Sequence, residues 1–575
     1  MADDEFDRRS FLRLAGGAAA AASLAGCAGD GDGNGSGNGN GSGNGNGSGN
    51  GNGSGDGEGT DRPEPQTREE YLQRANLLLH EEAPWVFLNR QYSVYGVSTD
   101  VQWEARRDER IDAYTIVPQG NKTSVTITQS QMDSGLDPHD HRETPTDNIV
   151  LQSYEGLLSR NKEGAIQQQL ATGYERVEPG RVRFTIRDGV TFHSGETLTP
   201  EDVAFSINRI VKDDVGGLTS PQRDQLAGVT GATPVDGERA VEVTSDGINP
   251  IVFQQFATYC DIVQRQWIQD HDSGYINTHM NGTGPFMLAN YQQDVSVQYT
   301  RYEDYWKEPA PAQSLTITAA GESSTRVNQL LGGETDLIVN VPPQDAQRVQ
   351  GADSASLSAK PSTRIIYNAM VYNREPFDSV AFRQAMNYAI DLESIVQNVL
   401  ATFAAPTGQP TLEGFVGYNP EVEPYPYDPE RAQQLVEESG YAGASITLHT
   451  PVGRYLKDLE IAQAVANQID ELENVSCSVQ QRDFQTLAGE LTDGDISTGP
   501  AFYLIGWGNA TFDASQTILP LLTTDGVLTS YSNERVDELM RQAQSMAGTT
   551  PGDGGSGSNS TSTDSANASG NTSGE

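Results

Sequence analysis

His139 and His141, in the stretch "LDPHDHRET" (136–144), stand two positions apart. In an extended strand, positions i and i+2 point the same way, so both rings could meet one metal ion or a metal chelate. No further His or Cys cluster accompanies them, and the three cysteines show no C-x-x-C spacing. We therefore read His139 as closing the turn after Pro138 and His141 as facing solvent, with no metal and no cofactor expected. Catalytic patterns are missing elsewhere too. There is no G-x-S-x-G elbow, and "HEEAP" (80–84) lacks the second His of H-E-x-x-H. Acid–base pairs would have to come from scattered carboxylates, which an acidic chain supplies by chance. A secreted hydrolase or metalloenzyme is thus the weaker reading. Large aromatic side chains such as Phe484 and Trp507 suit a different task, since they bury much area at little entropic cost and stack on varied groups.

Elements must position such residues, and the composition bounds them. The 575 residues exceed one ordinary core, which implies two or more lobes. Asp and Glu number 79 against 37 Lys and Arg, a net charge of -42. A nucleic-acid partner is excluded, because it needs a basic face. The acidic excess is spread along the chain and Lys is scarce, which suits a proteome adapted to high salt. At molar salt the Debye length is about 3 Å, and the self-repulsion becomes tolerable. Cys260 and Cys477 read as buried free thiols.

The chain opens with an address. Arg8 and Arg9, followed by Ser10, Phe11 and Leu12, form a twin-arginine export pattern. The apolar run from Leu14 to Ala25 is too short for a comfortable membrane span. It ends in Leu24-Ala25-Gly26-Cys27, similar to a lipobox, in which the peptide is cut before the Cys and its thiol takes a lipid. Residues 28–66 are expected to be a Gly/Asn/Ser tether with an end-to-end distance of about 30–35 Å. Its N-G-S triplets at Asn34, Asn40, Asn46 and Asn52 are glycosylation acceptors in pattern. Residues 547–575 read as a second disordered segment. No other stretch reaches transmembrane length, so the expectation is a folded body on a lipid leash at the extracellular face.

The body between the tails alternates helices and strands. Thr67 and Glu70 have capping-box spacing, and Tyr71, Leu72, Ala75, Leu78 and Leu79 share a helical face. Pro84 stops that helix and Trp85–Leu88 follow as a short strand. "VRFTIRDGVTF" (182–192) alternates like a strand. "TPEDVAFSINRIV" (199–211) opens with Thr, Pro and acids, all helix-start signals. "SVAFRQAMNYAIDLESIVQNVL" (379–400) reads as a helix or helix pair, and "DPERAQQLVEESGY" (428–441) as a capped helix closed by Gly440. The mixture predicts an α/β fold with mixed sheets.

Seven of these blocks, in order, resemble extracellular solute-binding proteins of family 5, the dipeptide, oligopeptide and nickel class. They are "LDPHDHRETPTDNIVLQSYEGLLSR" (136–160), "FTIRDGVTFHSGETLTPEDVAFSINRI" (184–210), "GTGPFMLANYQQDVSVQYTRYEDYWK" (282–307), "PFDSVAFRQAMNYAIDLESIV" (376–396), "YDPERAQQLVEESGY" (427–441), "GWGNATFDASQTILPLL" (506–522) and "YSNERVDELM" (531–540). In that family the last block is followed by a further helix and an "APW-hydrophobic" strand. Here those look like residues 67–97, at the other end of the chain. "DVQWEARRDERIDAYTI" (100–116) resembles the family's final segment and leads into "TSVTITQSQMDSGLDPHD" (123–140), which resembles its first strand. The resemblance thus implies a circular permutation.

It also implies a two-lobed periplasmic-binding-protein fold of type II, cluster C, with a hinged cleft. Lobe 1 would hold residues 89–315; lobe 2 would hold 316–546 plus 67–88, with passages near Leu88, Leu315 and Gly506. Carried over motif by motif, the ligand would meet the loop Arg142, Glu143, Thr144, the cleft wall Trp507, Gly508, Asn509, and Phe484. The family's amine-binding Asp falls at Ala510, so Asp513 is the nearest replacement. The family Arg three residues before the Trp falls at Leu504. These departures put peptide as the ligand in doubt more than the family itself. The implied role is a monomeric, lipid-anchored substrate-binding protein that delivers peptides or similar polar solutes to an ABC permease and its ATPase. A ligand-sensing subunit would use the same cleft.

Overall fold

The computed structural model describes residues 63–141, 143–491, 498–526 and 528–547; Arg8, Arg9, Cys27 and Arg142 lie outside them. The elements that build the site are α1 (Arg68–Glu82), β1 (Trp85–Ser98), β2 (Ser124–Gln129), α2 (Thr144–Val150), α3 (Pro200–Val211), β3 (Ser314–Ala319), β4 (Ala355–Met370), β5 (Ala444–Pro451), α4 (Asp458–Asp470), β6 (Val475–Arg482), β7 (Phe502–Gly508), α5 (Ser515–Leu522) and α6 (Glu534–Ser545).

Local chemistry fixes the helix starts as the sequence predicts. Thr67 Oγ1 accepts from Glu70 N, and the Glu70 carboxylate accepts from Thr67 N, a closed capping box. Thr199 and Asp202 make the same exchange at α3, with Pro200 in its first turn. Leu72, Ala75 and Leu79 of α1 are buried against Leu539, Met540 and Ala543 of α6. Glu64 also pairs with Arg535 across 3.4 Å. The first described helix is therefore core material of the lobe that ends with the last one.

One mixed sheet of eleven strands runs through both lobes. On one side of β1 lie Leu337–Ile338, β2, β3 and two antiparallel strands, Ser296–Arg301 and Phe286–Gln292; on the other lie β4, β7, β5 and β6. β1 is 14 residues long, not the four expected, because it spans the passage between lobes alongside the 16-residue β4. Trp85 faces Ala369 at one end of this antiparallel pair and Ser98 faces Ala355 at the other. Register shifts between Phe87 and Asn89 and between Arg90 and Tyr92 interrupt the ladder midway. Such bulges bend a strand pair and raise its twist. Val86 and Leu88 pack in lobe 2 with Phe382, Leu435 and Leu504, whereas Tyr95 and Val97 pack in lobe 1 with Ile127 and Leu315. Lobe 1 also carries a four-stranded antiparallel sheet, residues 171–245, covered by α3.

The expected lobe boundary is corrected by this packing. Val327, Leu330, Val341 and Val349 pack with Val94 and Ala355, so residues 316–360 go with lobe 1. The reason is that β3 stays parallel to β2 inside lobe 1, and the helices after it fold back onto the same half of the sheet. The chain returns along β4 rather than near Leu315. Nor does it pass between lobes at Gly506: Phe502, Leu504 and Trp507 of β7 all lie in lobe 2 cores.

Candidate ligand-binding site

A cleft of about 440 Å³ lies between the lobes beside the β1–β4 passage. That volume is in the range of small-molecule pockets. Lobe 1 supplies Asp108–Arg110, Gln129–Gln131 at and after the end of β2, Glu143–Pro145 with Asp147 and Asn148 at the start of α2, and Arg160 with Ala257–Tyr259. Lobe 2 supplies Arg364, Arg454, Tyr455, Phe484, Gly508 and Ala510. Two of the lining residues, Glu109 (φ 64) and Asn340 (φ 54), hold left-handed backbone, a conformation that surroundings must impose on a side-chain-bearing residue.

The lobe 2 wall is a layer of guanidinium and ring planes. The Arg454 guanidinium lies 5.2 Å from the Tyr455 ring and 5.0 Å from the Phe484 ring, and Arg364 lies 6.0 Å from Tyr455. Tyr455 and Phe484 meet edge to face at 6.1 Å. The loop that presents Arg454 is ordered by Asp458 at the start of α4, whose carboxylate accepts from the backbone N–H of Gly453, Arg454 and Tyr455 at 2.8–3.0 Å. Arg364 sits on β4 opposite Gly508 of β7. A Cβ at Gly508 would stand 3.2 Å from Arg364 Nη2, so glycine leaves the guanidinium its place. Burial lowers the pKa of Arg454, and the neighbouring Arg364 adds to that. Among the described residues the Arg364 guanidinium has no carboxylate or carbonyl partner. Two cations thus share one wall, and Arg364 is the one without a protein oxygen partner among the described residues.

The lobe 1 wall is built differently. Arg160 is buried, and its guanidinium donates to the carbonyls of Gly164 (2.8 Å), Gln254 (3.2 Å) and, across the cleft, Thr511 (3.1 Å). Burial pulls its pKa down to about 10. Thr258 Oγ1 reaches the Ala510 carbonyl at 3.1 Å. The Phe512 ring lies 4.7 Å under Arg160 and packs on Gly164, where no Cβ fits. The lobes therefore touch along 510–512, on loop residues just past the end of β7.

The sequence-named residues divide. Glu143, Thr144, Phe484 and Gly508 line the cleft. Trp507, Asn509 and Asp513 do not. Trp507 is 6 % exposed and its Nε1 donates to Gln516 O inside the core. Strand alternation explains it: Gly506 and Gly508 share the cleft face, against Tyr455 and Arg364, and Trp507 takes the other. Asn509 Nδ2 donates to Asp513 O and Thr517 Oγ1, both buried. Asp513 is fully buried and holds Arg68 of α1 in a bidentate pair at 2.7 and 2.8 Å, while Ser515 Oγ donates to it at 2.6 Å. These donors hold its carboxyl below the ordinary range despite burial. It is a structural anchor with no capacity left for a ligand amine.

The histidines are also relocated. His139 is buried, with Nε2 on Asp261 O at 2.7 Å and Nδ1 on Arg209 at 3.1 Å. Burial pulls its pKa down to about 4, so the ring is neutral at ordinary pH. His141 is 4 % exposed rather than solvent-facing, because it packs inside lobe 1 with Nδ1 3.8 Å from Asp147. No group of three His, Cys, Asp or Glu among the described residues is arranged to hold a metal. Cys260 and Cys477 are free thiols, the first buried and the second half-buried. No described helix is long and apolar enough to cross a membrane.

Arg364, Arg454 and Tyr455 were not singled out from sequence. No parity signal marks Arg364, because Ile365, Ile366, Tyr367 and Asn368 after it in β4 are all buried.

Two lobes enclosing a polar and aromatic cleft make an arrangement suited to holding a solute. Residues 165–528 match the family described as bacterial extracellular solute-binding proteins, family 5 Middle, and the chain belongs to that family. It is 26 % identical over 420 residues to the glutathione-binding protein GsiB of Salmonella typhimurium, covering 70 % of this chain and 79 % of that protein. Among solved structures it resembles the ABC transporter substrate-binding protein CtaP of Listeria monocytogenes (22 % identity, TM-score 0.65, 74 % of this chain and 87 % of that one). HbpA2 of Haemophilus parasuis is similar to the same degree (21 %, TM-score 0.65, 73 % and 88 %).

Proposed function

We propose that the protein is the substrate-binding component of an ABC importer, capturing short peptides or similar small solutes through a ligand carboxylate set between Arg364 and Arg454. One observation carries this reading: the Arg364 guanidinium, a cleft cation set against the Tyr455 ring, has no carboxylate or carbonyl partner among the described residues. A charge-assisted bond to a carboxylate would complete it, with the Arg454 charge alongside. The name of the relative supports it, since glutathione is peptide-like and carries carboxylates. Ligand binds the closed form and shifts the population toward it; the permease and ATPase are the partners, and the protein acts as a monomer. Mass spectrometry of the solute released on denaturing purified protein tests this. A carboxylate-bearing small solute is expected; a neutral sugar would overturn it.

Cys27 carries lipid after export directed by Arg8 and Arg9, and residues 28–66 tether the body at the extracellular face. Changing Cys27→Ser then releases the protein to the medium; retention on the membrane at high salt contradicts the anchor. The element order is circularly permuted relative to the family. Support comes from α1 and β1, which complete a core and the lobe passage beside α6 and β4, and from the Glu64–Arg535 pair. Deleting residues 67–97 then unfolds the body, whereas an appended module would come off and leave binding intact.

A further inference from the structure

Behind the cleft, within lobe 1, lies a second cavity of about 370 Å³. Asp108, Arg110, Arg160 and the turn Ala257–Tyr259 line both spaces, so the two are neighbours across these residues. Five cations and four carboxylates line it, and that count by itself favours neither sign. What decides is which charges already have partners. Arg106 holds Asp108 at 2.9 and 2.5 Å, and Lys162 holds Glu104 at 2.6 Å. Arg110 donates to the Thr258 carbonyl and Arg160 to the three carbonyls named above. The Lys307 ammonium lies 4.4 Å over the Trp306 ring. Glu155 is buried and accepts from Gln169, Thr283, Tyr305 and Trp306 at 2.8–3.0 Å. Asp112 accepts from Tyr114 N at 3.1 Å.

Asp261 stands apart from these. Its main chain is fixed, with the carbonyl accepting from His139 Nε2 and a bridge to Gly156. Its carboxylate has no hydrogen-bond donor among the described residues. The residue is half-buried and lines the cavity, so a carboxylate with no protein donor there is open to a cation supplied from outside. Leu151, Leu158, Tyr114 and Tyr305 on the same walls offer apolar surface to the chain that would carry such a cation.

We propose that this chamber is a subsite for a cationic arm of the ligand, an amine or guanidinium at the end of an apolar chain, received by the carboxylate of Asp261. The proposal rests on the reading of the cleft as a peptide-type site. Burial raises the pKa of Asp261 to about 6; Arg110 and His141 favour its charge, while Asp147 and Glu155 oppose it. The sign follows directly. Above about pH 6 the carboxylate is charged and attracts a cationic arm; below it the proton removes that attraction, while a neutral arm is indifferent.

Calorimetric titration with tripeptides carrying lysine or norleucine at each position in turn tests this, on the wild-type protein and on Asp261→Asn. At one position the lysine peptide binds wild type at least about tenfold more tightly than its norleucine counterpart. Asp261→Asn reduces that preference to about twofold or less, leaves the norleucine peptide unaffected, and abolishes the fall in preference between about pH 7.5 and about pH 5. Unaffected norleucine binding shows that the variant is folded. Equal binding of lysine and norleucine peptides to wild type, or a preference that survives Asp261→Asn, overturns the chamber assignment and leaves the arginine wall standing. If no peptide of either kind binds, both readings fall.

Discussion

The two walls of the cleft use arginine in opposite ways. On lobe 1, Arg160 makes four hydrogen bonds to the protein, three of them to carbonyls, including one that crosses to Thr511. On lobe 2, Arg364 and Arg454 lie against the rings of Tyr455 and Phe484 and line the cleft. A guanidinium held by carbonyls is part of the architecture; one set on a ring face, as Arg364 is, keeps its fork of donors for a planar anion. The same residue type is thus scaffold on one side and recognition on the other, and burial alone does not distinguish them.

The comparison breaks first at the base of the lobe 2 wall. Arg68 and Asp513 are 7 % and 0 % exposed, and removing one partner of such a pair costs about 3–5 kcal/mol. Arg68→Ala should lower the thermal midpoint sharply, read by calorimetric or circular-dichroism melting. The pH dependence has a definite sign. The folded-state pKa of Asp513 is depressed, so its contribution is fully present above the ordinary value of 3.8 and is lost as pH falls below it. A melt of wild type that is insensitive to acid through that window, or an Arg68→Ala variant as stable as wild type, would put the anchor elsewhere.

Next comes Arg160, the cation the cleft shares with its scaffold. Arg160→Met removes charged hydrogen bonds of about 1.5–3 kcal/mol each in type. Part of that loss falls on closure, because Thr511 belongs to the other lobe. Ligand affinity should drop about tenfold, and small-angle scattering should show the liganded form less compact than wild type. Equal compactness would make the 160–511 contact incidental. Smallest is Trp507→Phe. The indole is core and its Nε1 bond to Gln516 is lost, a change of about 1 kcal/mol in stability with ligand affinity unchanged. A loss of affinity at constant stability would return Trp507 to the cleft.

Much of the fold was legible in the sequence because its signals are local. The capping boxes at Thr67 and Thr199 and the Gly440 stop (φ 81) need only a few adjacent residues. The lobe boundary was not legible, because nothing local marks where a 16-residue strand passes from one core to another. The site divided along the same line. Glu143, Thr144, Phe484 and Gly508 were placed in the cleft by motif, and the structure lines it with them. Trp507 was grouped with Gly508 although adjacent strand positions cannot share a face. Asp513 looked available for an amine because its partner, Arg68, is 445 positions away. Arg364 and Arg454 come from different elements, and only the packing of β4 against β7 and the loop before α4 brings them to one wall.

The most direct measurement compares a peptide with its C-terminal amide, by calorimetry, on wild type and on Arg364→Met. Amidation removes the carboxylate and little else. The result expected is a loss of at least about tenfold on wild type and little or no loss on the variant, a coupling that only a contact between the two groups produces. Equal affinity of acid and amide for wild type would contradict the arginine wall as the carboxylate site.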